Sequence, residues 1–307
     1  MRPDARGDGD GWVECDLGHR HWGLFGAAGL LLHRPGDGGG SDEVLLQHRA
    51  TWSHHGGTWG LLGGARHSDE SAVTAAVREA GEEGGVDPAD VDVHGRYDDA
   101  HGGWAYTTVL AAADRSAETR PTGRESIDVG WFTTTAVTGL PLHPGFAATW
   151  PQLAHALRPL TVVVDAANVV GSRPDGWWRD RAGAARRLVA GCATLAAQGV
   201  PGQELPDGLD AAGLSRWWPR FVVVVEGAAR QVADDPSPGP VEVVAAPGGG
   251  DDEIVAATAR AGDGPRLVVT ADRELRGRVT QLGAVTVGPR WLTGRTSGTQ
   301  GSARRQE

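Results

Sequence analysis

The chain has 307 residues, 40% of them hydrophobic and 22% charged, a composition of globular rather than fibrous or disordered proteins. At about 100–200 residues per domain, this length gives two domains as the expectation. The formal net charge of −10 argues against a general nucleic-acid binder, although a local arginine cluster can still meet a phosphate. No apolar run approaches the roughly 20 residues of a membrane span. The opening MRPDARGDGDGW carries no apolar signal region, so a cytoplasmic protein is expected. Cys15 and Cys192 lie far apart and match no zinc spacing, and they read as reduced thiols. The sequence does not speak to the oligomeric state.

Residues 1–20 are polar and glycine-rich and are expected to be a flexible N-terminus. Trp22–Leu32 reads as one strand, Pro35–Asp42 as a turn, and Glu43–His48 as the return strand. A loop rich in His and Gly follows. Ser71–Glu83 has helical composition, and Gly84 and Gly85 suit its stop. Tyr106–Ala111 and Val129–Phe132 are further strands, Leu140–Pro144 is extended by its prolines, and a short helix is expected around Phe146–Leu157. Arg158-Pro159 marks the boundary between expected domains at 21–157 and 160–293.

The pattern then changes. Thr161–Val164, Phe221–Val225, Leu267–Thr270 and, more weakly, Val241–Ala245 are continuous β-branched runs. Helical patterns at Arg179–Gln198, Asp251–Ala261 and Arg273–Leu282 lie between or after them. Such alternation implies a parallel sheet covered on both faces. Residues 294–307 are expected to be a disordered tail. The fold class is α/β throughout.

The strongest chemical signal is GARHSDESAVTAAVREAGEEGGV, starting at Gly64. Glu79, Glu82 and Glu83 stand at i, i+3 and i+4, on one face of the helix. They also lie near its C-terminus, where the helix dipole disfavours negative charge. A divalent cation with hard oxygen ligands, Mg²⁺ or Mn²⁺, would offset their repulsion. The opposite face, Val73, Ala76, Val77 and Ala80, is small enough to lie close to a sheet.

This segment resembles the Nudix box, G-x5-E-x7-R-E-U-x-E-E-x-G-U, in which U is aliphatic. Every fixed letter is present. Ala80 is small for its aliphatic position, and Leu62 in WGLLGG stands where a proline is common. The resemblance covers about residues 20–157. It implies a MutT-like α/β/α sandwich with a mixed sheet and hydrolysis of a nucleotide pyrophosphate. It also implies that Glu79, Glu82 and Glu83 hold Mg²⁺ or Mn²⁺, with the Gly64 carbonyl as a further ligand, while Arg78 and Glu70 pair to orient the helix. One of these glutamates, or a carboxylate on a later loop, would deprotonate the attacking water. Glu125, in ESIDVGW, sits where related enzymes often place an extra ligand or base, and a surface carboxylate fits it as well. Trp52, His54, His55, Trp59, Trp104 and Tyr106 are candidates to stack on or hydrogen-bond to a base; core packing or loop support competes at each. His54 and His55 also suggest a metal site, against the plainer reading of a histidine pair on a loop.

In the second half, acids recur where strands run out: Asp165, Glu226, Asp251 with Asp252, and Asp272. In an open parallel sheet, ligands bind beyond the carboxyl ends of the strands. Helix capping explains Asp251, Asp252 and Asp272 about as well. The runs VVVDAANVV, GGGDDEIV and VVTADRELR resemble the PIN-like nuclease fold, especially its NYN branch, over about residues 160–292. This implies a Rossmann-like three-layer domain with Asp165, Asp252 and Asp272 around Mg²⁺ or Mn²⁺, and RNA as substrate. Asn168 and Asp251 would be near neighbours. Arg173, Arg179 and Arg181 would meet phosphates, and Trp177 and Trp178 would stack on bases or simply pack. Three readings follow: a Nudix hydrolase fused to a nuclease-like domain, a ribonuclease whose first domain senses or clears a nucleotide, and a non-catalytic nucleotide-binding regulator. The intact glutamate helix argues against the third.

Overall fold

A continuous apolar run, too hydrophobic to face water on either side, builds the centre of the first sheet. The structure, a computed structural model, describes residues 7–36, 40–209 and 212–296. Contacts divide the chain after Leu157 into two units, with Ala212–Ser215 belonging to the first.

The first unit contains strands β1 (Trp12–Glu14), β2 (Arg20–Trp22), β3 (Ala27–Arg34), β4 (Glu43–Arg49), β5 (Trp59–Gly60) and β6 (Leu62–Ala65). Helix α1 (Ala72–Gly84), strands β7 (Asp92–Ala100), β8 (Ala105–Ala112) and β9 (Ser126–Thr133), and helices α2 (Thr134–Val137) and α3 (Pro144–Leu153) complete it. Strand β3 is buried from Ala27 to His33. It pairs parallel to β8 and antiparallel to β4 and β6, with Ala28 opposite Gly64 and Leu30 opposite Leu62. The main path runs β7-β8-β3-β4-β5, with β6 beside β3 and β9 beside β4. The sheet is therefore mixed. Helix α1 lies on β3 and β6. Its contact face is Ala72, Ala75, Ala76 and Ala80, packed with Leu30, Leu32, Leu45 and Leu62, while Val73 is only partly buried. Methyl groups on the helix let it approach the sheet closely. Each buried leucine contributes about 1.5–3 kcal/mol.

Three expectations for this unit change. The strand expected over Trp22–Leu32 is broken, because the chain turns at Gly23 (φ 107°) and Gly26 (φ 88°), a backbone region that glycine enters without strain. Residues 7–20 are not a loose terminus. Strands β1 and β2 form an antiparallel hairpin with Val13 opposite His21, and the amides of Gly23 and Leu24 donate to the carbonyls of Gly11 and Gly9. Residues 1–6 lie outside the described residues, as do 37–39 of the expected turn. Strand β7 was not foreseen. A bulge between Val93 and Gly95 absorbs the glycine, and Asp98 is held by Arg96, Thr107 and Ser215.

The second unit contains β10 (Thr161–Asp165), α4 (Ala166–Gly171), α5 (Arg181–Gln198), the short β11 (Val200–Pro201) and β12 (Arg216–Trp217), β13 (Arg220–Val225) and β14 (Val241–Ala245). Then come α6 (Gly250–Arg260), β15 (Arg266–Val269), α7 (Arg273–Thr280), β16 (Val285–Val287) and α8 (Pro289–Thr296). Five parallel strands lie in the order β14-β13-β10-β15-β16. The chain builds outward from β10 to one edge and then crosses to the other side, so β10 is the topological switch point. Val163, Val224 and Val268 pack with Ile254 and Ala257 of α6 and Leu275 and Val279 of α7. Helix α5 packs on β13 and β14 and α8 on α4 and α5, which covers the other face. Gly294–Thr296, expected in the tail, close α8; residues 297–307 lie outside the described residues.

Candidate active site

Helix α1 starts where Ser71, in extended conformation, accepts a hydrogen bond from the Thr74 amide, and it ends at Gly85 in the left-handed region. Between these caps, Arg78 organises the acids. Its Nε and Nη2 donate to the two oxygens of Glu70 at 2.8 and 3.0 Å. Its Nη1 donates to Glu79 at 2.9 Å and to Glu82 at 3.1 Å, and Nη2 also reaches the Ala65 carbonyl. The fork-to-fork geometry with Glu70 suits a planar guanidinium. It holds Glu70 below the usual carboxylate range and Arg78 above its already high value.

Glu83 is 5% exposed. Its Oε2 accepts from Gln47 Nε2 at 2.9 Å and from the Gly63 amide at 2.8 Å. Gln47 is fixed in turn by donating to the Leu61 carbonyl and by accepting from Ser126 Oγ at 2.8 Å. Burial first, and then the neighbouring charges of Glu79 and Glu125, push Glu83 up to about 8. Burial also raises Glu79, with Glu82 and Glu125 adding to it against Arg78. Glu125 is exposed, and its charge reaches both Glu79 and Glu83.

These residues fit a divalent cation. A buried carboxylate beside a second one resists ionisation without a compensating positive charge, and Arg78 reaches Glu70, Glu79 and Glu82 but not Glu83. Gly64 also leaves open the space in front of Glu79: a Cβ there would lie 2.6 Å from Glu79 Oε1. Glu79, Glu82, Glu83 and Glu125, with the Gly64 carbonyl, would hold the ion.

Several neighbours were not singled out from sequence. Gln47 is 0% exposed within an apolar strand, and a buried amide in such a run is the signal that marks it. Arg49 tempers the charge of Glu83 and faces His143 and His54, which places it between the glutamates and a histidine cluster. Tyr106, already a candidate from sequence, has its hydroxyl raised by burial and by Glu83 and Glu79. Of the stacking candidates, Trp59 lies against His48 (4.9 Å) and Phe132 (4.7 Å), and Trp104 lies against His21 (4.0 Å). Trp52 is 68% exposed. His54 and His55 are joined by His143, with ligand atoms within 4.8 Å of one another.

In the second unit, the expected acids meet at the switch point. Asp165, the last residue of β10, accepts from the Asn168 amide and from Thr270 Oγ1 at 2.9 Å. Thr270 also accepts from the Asp272 amide, and Asn168 Oδ1 accepts from the Ala271 amide. Burial, then Asp251 and Glu226, raise Asp165; burial, then Asp272, raise Asp251. Asp272 also caps α7, and Glu226 accepts from the Gly250 amide at 2.7 Å. The expected ligand Asp252 is placed differently. Its side chain is 87% exposed and paired with Arg278 at 2.6 Å, and Asp251 takes the place facing the cluster. Arg173 donates to Thr296, Arg181 lies over Trp177, and Trp178 is exposed.

Comparison with known proteins follows from this geometry. A family model described as NUDIX domain matches residues 25–154. A Mycobacterium tuberculosis protein provisionally named 8-oxo-dGTP diphosphatase 3 is 50% identical over 166 residues, covering 52% of this chain and 74% of that protein. A nucleoside triphosphate pyrophosphatase/Nudix hydrolase fusion protein of Bifidobacterium longum is 41% identical over 155 residues, covering 50% of this chain and 32% of that protein. The crystal structure of the M. smegmatis Nudix hydrolase RenU has 49% identity and a TM-score of 0.45, covering 48% of this chain and 93% of that one.

Proposed function

Because the chain belongs to the Nudix family and is a nucleotide pyrophosphohydrolase, we propose that it cleaves a nucleoside triphosphate to the monophosphate and pyrophosphate, with an oxidised purine as the base. The base assignment follows the 8-oxo-dGTP diphosphatase named above. The observation that carries the reaction is buried Glu83 beside half-buried Glu79, in front of the open space at Gly64.

A bound Mg²⁺ or Mn²⁺ would supply charge neutralisation at the phosphate oxygens and acidify a bound water. The protein's part is positioning. Arg78 and Glu70 fix the rotation of α1, and Gln47 with the Gly63 amide aims one oxygen of Glu83. Glu82 and Glu125 are both exposed; Glu125, on a loop outside the helix, is the candidate base. Arg49, on the side of the histidine cluster, is placed to meet a phosphate oxygen.

The test is a nucleotide panel, with 8-oxo-dGTP, dGTP, dinucleotides and nucleotide sugars, assayed with Mg²⁺ and then with chelator. The expected result is selective turnover of 8-oxo-dGTP that collapses in Glu82→Gln and survives Asp165→Asn. Turnover of none of these compounds would refute the reading.

A second reading concerns the other unit, where Asp165, Glu226, Asp251 and Asp272 share one electrostatic neighbourhood. We propose a PIN-like, metal-dependent ribonuclease there. RNA cleavage should vanish in Asp165→Asn and persist in Glu82→Gln; no RNA binding at low salt would count against it.

A further inference from the structure

Apart from the acids, the first unit gathers a second set of metal-binding side chains, contributed by two hairpins that are far apart in sequence. Cys15, His19, His21 and His101 each offer one ligand atom within 4.8 Å of all the others. We infer that these four residues form a zinc site that fastens the β1–β2 hairpin to the β7–β8 turn.

The donor set is right for the ion. Thiolate and imidazole together favour Zn²⁺ over the hard cations that carboxylates prefer. Tetrahedral zinc, with Zn–S about 2.3 Å and Zn–N about 2.0–2.1 Å, puts its ligand atoms about 3.3–3.6 Å apart. His21 Nε2 stands 3.3 Å from Cys15 Sγ. Four protein ligands, with no position left for water, describe a structural site rather than a catalytic one.

The surroundings hold the rings for this purpose. His101 Nε2 lies 3.4 Å from Asp99 Oδ2, the carboxylate–histidine pairing that fixes a ligand's tautomer and leaves the other nitrogen unprotonated. That other nitrogen, Nδ1, is buried and has no hydrogen-bond partner. An orphaned buried acceptor is costly unless something binds it. Trp104 stacks on His21 at 4.0 Å with its planes 10° apart, and its Nε1 donates to the Gly23 carbonyl.

The turns are arranged to match. The Cys15 amide donates to the His19 carbonyl, closing the first turn, and the Asp16 amide donates to the Gly102 carbonyl of the second. Two three-residue strands with exposed Trp12 and Trp22 do not make a hairpin that is stable alone. A metal clip supplies what the short ladder lacks. The other histidine cluster is a poorer match, since it has no sulfur and His143 Nδ1 already accepts from the Gly145 amide.

The experiment uses the full chain, reduced, stripped with chelator, and titrated with Zn²⁺ and with Co²⁺ as a spectroscopic probe. The expected result is one Co²⁺ per chain giving tetrahedral d–d absorption and a thiolate-to-cobalt charge-transfer band. Cys15→Ser should lose the band and Cys192→Ser should keep it. His19→Ala, at an exposed position, should weaken zinc binding at least about tenfold, and Asp99→Asn by about 10–100-fold. Zinc should also slow amide exchange across Trp12–Trp22. A folded wild-type chain without the charge-transfer band, or equal zinc affinity in wild type, Cys15→Ser and His19→Ala, would overturn the inference.

Discussion

Replacing Glu83 with glutamine should stabilise the metal-free protein while abolishing nucleotide turnover. The carboxyl is 5% exposed and sits at about 8 in the fold against an ordinary 4.5. At about 1.4 kcal/mol per pH unit, keeping it ionised costs up to about 5 kcal/mol. The glutamine oxygen can still accept from Gln47 and Gly63, but its new amide hydrogens need acceptors, which returns about 1–3 kcal/mol of that gain. The sign follows from linkage. The folded value lies above the unfolded one, so the folded state holds the proton more tightly. The Glu83 contribution to the stability of metal-free wild type should therefore be greatest below about pH 4.5, fall as the pH rises towards about 8, and then level off. The variant should lack that slope. Mg²⁺, which favours the ionised form, should restore wild type at alkaline pH and leave the variant unchanged. Urea unfolding, with amide exchange of α1 and β3 to localise the effect, measures both arms. A metal-free wild type that gains stability with pH, or a variant less stable than wild type at alkaline pH, would refute the reasoning.

Other substitutions probe the supporting contacts. Arg78→Lys keeps the charge but loses the two-pronged grip on Glu70, and kcat should fall about 10- to 100-fold with the fold intact by circular dichroism. Gly64→Ala places a methyl 2.6 Å from Glu79 Oε1, so Mg²⁺ titration of activity should show weakened metal binding, with a stability loss of about 1–3 kcal/mol. In the second unit, RNA cleavage should be lost in Asp251→Asn and retained in Asp252→Asn, because Asp252 is engaged with Arg278 in solvent; the reverse order would restore Asp252 to the site.

How much was legible in the sequence depended on whether the geometry was local. The helix acids, the Arg78–Glu70 pair and the glycine loop lie within one short segment, where a 3.6-residue period alone places them on a face. Strands β10, β13 and β15 of the second unit were equally plain, since their β-branched runs are apolar on both faces; β14 was weaker and β16 was not expected. Gln47 and Ser126 escaped because their roles arise only when β4 pairs with β9, which sets them beside Glu83. Strand β7 escaped because its aspartates are offset by partners far along the chain, such as Thr107 and Ser215. The closeness of Cys15 to His101 escaped for the same reason: a spacing rule searches neighbours in sequence, and His101 arrives by another hairpin.

The two acidic sites answer one electrostatic problem in different ways, and the difference bears on how each can fail. In the first unit, three glutamates share one helix, and a single guanidinium, Arg78, spans Glu70, Glu79 and Glu82. Their spacing survives any movement of the helix as a body, but not loss of that one arginine. In the second unit, each acid comes from a separate strand end, and neutral donors such as Thr270 and the amides of Asn168 and Gly250 do the holding. No single side chain there carries the arrangement, yet it depends on the register of β10 with β15, which sets Thr270 beside Asp165. A substitution that loosens the β10–β15 core, such as Val268→Ala, should therefore impair the second site before it unfolds the unit. An equal loosening of the α1 face should move the first site's glutamates together and spare their mutual geometry.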